Sequence, residues 1–584
     1  MTTWLLLAAQ SIFTAAAAEP TAINQALDVT YHGLERNGIE LFLNIPYGLD
    51  TGGEHRFKPP RPAVPLPGST VEATNYGPSC PQSLGTSSPP LAQGNITQVS
   101  EDCLNLNVAR PKGTTAKDKL PVLVWIHGGS FWAGSNAEPT TRPDGLILES
   151  VANGIPVMHV AMNYRLGFFG FAQSDALQQE GSENAGLRDQ RLAIEWVRDN
   201  IGHFGGDGRR ITIFGQSSGG LAVGMQIMAY GGTQPVPFQQ GICESQALEP
   251  GITANFTIDA MQLLVDAVAC NTSALHSPET VACLRSLDTE TLRLAAIDTY
   301  IADIAHNIGD IWLPVVDGDF LPAAPSVLAK EHRFATDVTT MIGWADSDVA
   351  FYTDSSIATP QDTHKFIADY IPYVTPANID TLLGLYPVGE FAADAARSQG
   401  TLSAEFFRSA RIFRDIIMAC QPVWFGGKVA AAADPGTKVY LYDWNQTVLE
   451  PALDFLSNKT GWGPVHTSEF AYIFGNVSVY DVPGFPFTAT PADYALQSRG
   501  SRSWSTFAAT GKPGGLCGKD TFQGFDQAFP QGEDGETYVF VVGGADEGLS
   551  AFDGPRASEA IAAQRLTERC AFINSDEMIE QLRY

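Results

Sequence analysis

Two hydrophobic patterns alternate along this chain. Short, nearly continuous apolar runs at 121–126, 157–162, 211–214, 337–342, 438–444 and 537–542 are rich in Val, Ile, Leu and aromatic residues. Such runs predict strands buried on both faces, as in the middle of a parallel sheet. Between them, apolar residues return every three or four positions. Residues 184–200 place Leu187, Leu192, Ala193, Trp196 and Val197 at helical spacing, 221–229 continue an apolar helix, and 360–432 read mostly helical. Residues 558–572 predict a terminal helix with Ser558 at its N-cap. Near the start, residues 28–32 and 39–44 read as two strands around the Asn37-Gly38 turn, a hairpin signal. A proline-rich loop covers 59–67. Strands alternating with helices predict an α/β fold with a largely parallel sheet. No Pro-, Gly- or Ser-rich linker marks a cut, so residues 19–584 read as one domain.

Composition narrows the class. The 584 residues are 44% hydrophobic and 17% charged, ordinary globular values, with a formal charge of −29. That charge argues against nucleic acid or an anionic membrane as a partner, because a polyanion needs a basic surface. Residues 1–18 carry an apolar core at 4–9 and end in Ala16-Ala17-Ala18, which reads as a signal peptide although it lacks an early Lys or Arg. No later stretch has transmembrane length. N-x-S/T sequons at Asn95, Asn255, Asn271, Asn445, Asn458 and Asn476 suit a glycosylated secreted chain. Eight cysteines in an oxidising compartment allow up to four disulfides, whose connectivity spacing alone leaves open. No Cys or His spacing suggests a metal site, and no cofactor is expected.

Chemistry concentrates in Gly215-Gln-Ser-Ser-Gly219, set between an apolar strand and an apolar helix. Strand, G-x-S-x-G, helix is the nucleophile-elbow pattern, with Ser217 as the exposed hydroxyl. A second glycine turn, His127-Gly-Gly-Ser130, follows another buried strand. It is placed where esterases and lipases keep the backbone donors of their oxyanion loop.

In these and further motifs the chain resembles the carboxylesterase/cholinesterase family (type-B carboxylesterases and lipases), in style its secreted fungal members. The likeness is carried by Glu101-Asp-Cys-Leu-Asn-Leu-Asn107, the oxyanion loop, Asn163-Tyr-Arg-Leu-Gly-Phe-Phe-Gly170, residues 184–197 and His203-Phe-Gly-Gly-Asp207 leading into the elbow. It is dense from about 56 to 220 and patchier afterwards. The resemblance implies an α/β-hydrolase fold and a serine esterase with Ser217 as nucleophile. It implies an oxyanion hole from the N–H groups of Gly129, Ser130 and Ser218, where the family usually has glycine for Ser130 and alanine for Ser218. The acid maps to Asp348 in Gly343-Trp-Ala-Asp-Ser-Asp-Val-Ala-Phe-Tyr352, where the family commonly has glutamate. Asp346 is the alternative, and the shorter Asp requires its loop to sit closer to the base. The base maps to His466 in Gly463-Pro-Val-His-Thr-Ser-Glu-Phe470; His127 reads as structural. The order Ser217, Asp348, His466 is that of α/β-hydrolases. The resemblance further implies disulfides Cys80–Cys103, Cys270–Cys283 and Cys420–Cys570, leaving Cys243 and Cys517 unpaired. Arg56 with Glu101 and Arg165 with Asp189 resemble its buried ion pairs, Glu469 its carboxylate behind the site and Ser245 its buried hydroxyl.

The loop between Cys80 and Cys103 is short, polar and free of aromatic residues, and Gln216 stands where the family usually has glutamate. The missing aromatic argues against a cholinesterase, which holds its cationic substrate by a cation–π contact in that loop. The short loop favours an esterase acting on small-molecule or moderately apolar, lipid-like esters over an interfacially activated lipase. A lipase or sterol-ester hydrolase, or an acyl-transferring or esterase step in secondary metabolism, is the alternative. A non-catalytic adhesion-like role is disfavoured by the complete Ser, His and Asp set.

Overall fold

The computed structural model describes residues 19–86, 89–246, 248–303, 311–516 and 518–584. Among them the apolar runs line up in one eleven-stranded sheet. Its strands are β1 (Leu34–Arg36), β2 (Ile39–Pro46), β3 (Asn105–Pro111), β4 (Leu120–Ile126), β5 (Met158–Met162), β6 (Gly206–Gln216), β7 (Gln240–Glu244), β8 (Thr339–Ala345), β9 (Val439–Trp444), β10 (Tyr538–Val542) and β11 (Gly548–Ala551). The order across the sheet is β11-β10-β9-β8-β7-β6-β4-β5-β3-β2-β1. The block from β5 to β10 is parallel, and both edges are antiparallel. The continuous apolar runs are therefore the parallel strands, which helices cover on both faces.

Trp125 on β4 joins the sheet to the site. Its ring lies 4.8 Å from Phe214 on β6, 5.6 Å from Phe470 and 5.0 Å from Phe474. The last two belong to the segment just after His466. One buried aromatic cluster thus fixes the elbow strand and the histidine segment against each other.

Two expectations change. The Asn37-Gly38 turn does make a hairpin, with positive φ at both residues, but it joins β1 to β2. Residues Val29–His32 pair instead with Thr21–Asn24 and Thr70–Glu72 in a separate three-stranded sheet. The chain leaves one sheet for the other at Gly33, where a Cβ would lie 2.3 Å from the Leu41 carbonyl. The terminal helix breaks in two, Glu559–Ala562 and Leu566–Ile573, because Arg565 adopts a left-handed conformation (φ 50°). The break lets Arg565 and Arg569 both meet Glu390. Ser558 caps as expected, accepting from the Ile561 N–H.

The three implied disulfides are present: Cys80–Cys103, Cys270–Cys283 and Cys420–Cys570. The third closes 150 residues and ties the C-terminal helices to Cys420–Ala432, the helix that leads into β9. In a chain-entropy picture it contributes about 5 kcal/mol, against about 3 for the shorter loops. Cys243 is buried on β7 and unpaired, and Cys517 lies outside the described residues. So does the expected signal peptide at 1–18. Asn95, Asn255, Asn271 and Asn458 are exposed and Asn445 is half-buried. Asn476 is corrected: it is only 7% exposed, and its amide donates to the Arg142 carbonyl at 2.6 Å. A glycan there would need the surrounding chain to open around the buried amide.

Candidate active site

The elbow is shaped by its glycines. A Cβ on Gly215 would lie 2.5 Å from the Gly219 carbonyl carbon, and one on Gly219 would lie 2.2 Å from the Ile126 carbonyl oxygen. β6 therefore runs into helix Ser218–Met228 with no room for side chains at the crossing. Ser217 between them takes φ 60° and ψ −133°, a conformation that a non-glycine residue adopts only when its surroundings enforce it. Those surroundings include its N–H donating to the Glu244 carbonyl at 2.9 Å and its carbonyl accepting from Leu221 at 2.9 Å.

Next to it stands the turn after β4. Gly129, Ser130 and Phe131 all have positive φ. A Cβ on Gly128 would meet the Gln216 carbonyl at 2.3 Å, so glycine is required for the two turns to touch. The Phe131 N–H donates to Ser218 Oγ at 3.0 Å, which pins this turn to the elbow. Among the described residues no protein acceptor is bonded to the N–H groups of Gly129, Ser130 or Ser218. His127 is structural, as expected. Its ring stacks on Tyr164 at 4.5 Å, its Nδ1 contacts the Gly128 carbonyl at 2.9 Å, and burial holds it neutral by pushing its pKa down to about 4.

The loops that carry Asp348 and His466 are laced together. Ser347 N–H donates to the Pro464 carbonyl at 2.9 Å, and His466 N–H donates to the Asp348 carbonyl at 2.8 Å. This close approach suits the shorter carboxylate. Asp348 is fully buried; its Oδ1 lies 2.5 Å from His466 Nδ1, and its Oδ2 accepts the Ala345 N–H at 2.9 Å. Asp346 points elsewhere, to Arg411 and Gln564 at 3.2 Å each. Against the cost of burial, Arg411, Arg414 and Arg397 hold its carboxyl below the usual carboxylate range.

Behind Asp348 lie two more buried carboxyls. Glu244 accepts the Trp504 indole N–H at 2.8 Å, and Glu469 lies within electrostatic reach of both Glu244 and Asp348. Burial drives both upward, and in Glu469 the neighbouring carboxylates add to it. Burial thus favours the protonated form of Glu244 and Glu469, and of the three carboxyls Asp348 is the one hydrogen-bonded to His466.

Ser217, His466, Gly129 and Ser130 line one cavity of about 470 Å³. Its walls are largely apolar: Leu91 and Ile96 from the Cys80–Cys103 loop, Phe351 and Phe470, and Trp132 stacked on Tyr300 at 4.3 Å. That loop is latched to the body. Gln82 and Gly134 exchange hydrogen bonds at 2.8 and 2.9 Å, and the Glu138 carboxylate accepts the N–H groups of Gln93 and Gly94 at 2.8 and 2.9 Å.

Arg56–Glu101 and Arg165–Asp189 are buried two-pronged ion pairs at 2.6–2.9 Å, as the resemblance implied. Sequence reasoning missed three polar roles: Ser218 Oγ on Phe131, Glu138 on the loop, and Gln216, whose amide reaches His466. Adjacency to Ser217 marked two of these, whereas nothing in sequence marked Glu138. Ser218→Ala is expected to free the Phe131 N–H and cost about 1 kcal/mol of stability. Its Tm and its rate on an activated ester, measured side by side, check this; both should fall.

A serine on a strand–helix elbow at the C-terminal end of a parallel sheet, with a carboxylate-bound histidine in the same cavity, defines the α/β-hydrolase class. The carboxylesterase family model matches residues 29–543, and the chain belongs to that family. It is similar to a secreted lipase of Arthroderma benhamiae, 53% identical over 100% of this chain and 98% of that one. An inactive carboxylesterase-like protein of Byssochlamys spectabilis is 33% identical over 85% of this chain and 84% of its own. Among solved structures, the Aspergillus niger EstA structure matches with a TM-score of 0.75 at 24% identity, covering 97% of this chain and 99% of its own, a likeness of fold. A thermophilic pNB esterase matches with a TM-score of 0.72 at 25% identity, over 94% and 100%. The protein is a carboxylic ester hydrolase. No helix among the described residues is long and apolar enough to cross a membrane.

Proposed function

We propose that this chain is a secreted serine esterase in which Ser217, His466 and Asp348 act as nucleophile, base and acid. The observation that carries the reading is the 2.5 Å contact between His466 Nδ1 and Asp348 in the cavity that holds Ser217. His466 takes the Ser217 proton at Nε2 as Oγ attacks the ester carbonyl. The N–H groups of Gly129, Ser130 and Ser218 hold the oxyanion. His466 then returns the proton to the leaving alcohol and activates water against the acyl-enzyme. Residues 1–18 act as the signal peptide and 19–584 as one catalytic domain, with glycans at Asn95, Asn255, Asn271, Asn445 and Asn458. A fluorophosphonate probe is expected to label the protein at Ser217 in a peptide map; labelling elsewhere overturns the assignment. Labelling also separates this chain from its inactive relative, and product analysis with added alcohols separates hydrolysis from acyl transfer.

The substrates are esters with an apolar arm that the cavity can hold. The latched Cys80–Cys103 loop supports a wall that stays in place rather than a lid that a lipid surface opens. A lipase is the second reading, favoured by the name of the Arthroderma relative and by Leu84 (53% exposed) and Tyr352 (48% exposed) lining the cavity. A chain-length series of p-nitrophenyl esters below and above aggregation is expected to show no jump at the phase boundary. A steep rise on long-chain emulsions favours the lipase.

A further inference from the structure

The imidazole of His466 is bonded at both nitrogens. Nδ1 faces Asp348, and Nε2 lies 3.0 Å from the side-chain nitrogen of Gln216, the residue just before the proposed nucleophile. Among the described residues no hydrogen bond joins Nε2 to Ser217. Because the Nδ1 proton serves the carboxylate, Nε2 of the neutral ring carries a lone pair, and the amide N–H is the end of Gln216 that can meet it. Gln216 is only 2% exposed, and its backbone carbonyl is packed where a Cβ on Gly128 would stand. The backbone of Gln216 is thus fixed against the neighbouring turn, and its side chain is buried beside His466.

We infer that Gln216 is a positioning residue for the base, its amide capping Nε2 of the neutral imidazole and yielding that nitrogen to Ser217 when an ester is attacked. The inference rests on the proposed roles of Ser217 and His466. When the Ser217 proton moves to Nε2, the Oγ–carbon bond forms and the carbonyl π pair passes to the oxyanion. Nε2 then bears hydrogen and no longer accepts, so the amide N–H has to leave it. An amide therefore favours the neutral, base-competent ring. A carboxylate at the same place has no N–H to give and would accept from the protonated ring, favouring that form and moving its deprotonation to higher pH. The titratable groups around the ring are Asp348 on the loop after β8, Tyr352 beyond it with its ring 5.6 Å away, and Ser217 on the elbow. Glu469 on the ring's own segment and Glu244 at the end of β7 lie behind Asp348.

The test is the pH dependence of Ser217 labelling by a fluorophosphonate, together with kcat/KM on a soluble ester, in the full secreted chain. Gln216→Glu is expected to move the acid limb upward by about one pH unit, lowering the ratio of labelling at about pH 5 to that at about pH 8 roughly tenfold. Gln216→Met, of similar length but uncharged, is expected to move it by less than half as much. An acid limb of Gln216→Glu that superposes on the wild type overturns the inference. So does an equal shift in both variants, since packing alone would then explain it. Should glutamate at this buried position prevent folding, ¹⁵N-histidine spectra of the wild type and Gln216→Met decide. The His466 Nε2 resonance, identified as the signal missing in His466→Asn, is expected to move when the amide donor is lost. An unmoved resonance overturns the contact. That spectrum reads the contact whether or not esters are hydrolysed, so its failure is distinct from failure of the functional reading.

Discussion

Ser217→Ala is expected to lower ester hydrolysis by about 10⁴-fold or more while leaving the fold intact. The loss follows from position. Ser217 is the hydroxyl carried by the elbow, in a conformation set by its own backbone bonds to Glu244 and Leu221 rather than by its side chain. Alanine keeps those bonds and the glycine crossings on either side, so the melting temperature should stay close to that of the parent. Rates on a soluble p-nitrophenyl ester beside thermal melts check both halves. Full activity in this variant sinks the mechanism, whatever the substrate proves to be.

Asp348→Asn is expected to cost about 10⁴-fold in kcat with little change in KM. An asparagine that keeps its oxygen on the Ala345 N–H presents its NH₂ group to Nδ1. That selects the ring tautomer with the proton on Nε2, which cannot accept the serine proton. It also removes the carboxylate from contact with the imidazole. Asp346→Asn is the matched control. That carboxylate is bonded to Arg411 and Gln564 and does not contact His466. Its loss is expected to lower Tm and to leave kcat of the folded enzyme within a few-fold, like the loss of other ion pairs away from the reacting atoms. Steady-state kinetics on both variants at a temperature where each is folded decide between the two acids. A collapse confined to Asp346→Asn would reverse the assignment.

Much of this site was legible along the chain because its parts are local. A nucleophile elbow is a few residues whose geometry is dictated by glycines at fixed offsets, and the turn from His127 to Ser130 is local in the same sense. The parallel strands were legible because burial on both faces leaves continuous apolar runs. Less legible was whatever depends on what lies across a gap. The strand at 29–32 has the pattern of a hairpin partner, yet pairing depends on which strand edge is free, and Leu34–Arg36 takes that place. The terminal helix keeps its periodicity through Arg565, but the ion pairs with Glu390 and the link from Cys570 to Cys420 select a break. Asn476 satisfies the sequon rule as well as the other five do. Only the fold, which packs it against Arg142 far away in the chain, buries its side chain.

By itself, then, the chain's pattern determined an α/β fold with a largely parallel sheet, a G-x-S-x-G turn around Ser217 and a second glycine turn at 127–130, because these follow from residue type and short-range spacing. The α/β-hydrolase fold and the places of Asp348 and His466 were implied only by the resemblance to the carboxylesterase family. Tertiary structure decided which carboxylate meets His466, because Asp346 and Asp348 are two residues apart and only the packed loops aim one at the imidazole and the other at arginines. It also latched the Cys80–Cys103 loop through Glu138, gathered Glu244 and Glu469 behind Asp348, and brought the Gln216 amide to Nε2 of His466. Each is a contact between segments tens to hundreds of residues apart. Hydrogen bonds act over about 3 Å, and only the assembled sheet brings those groups so close.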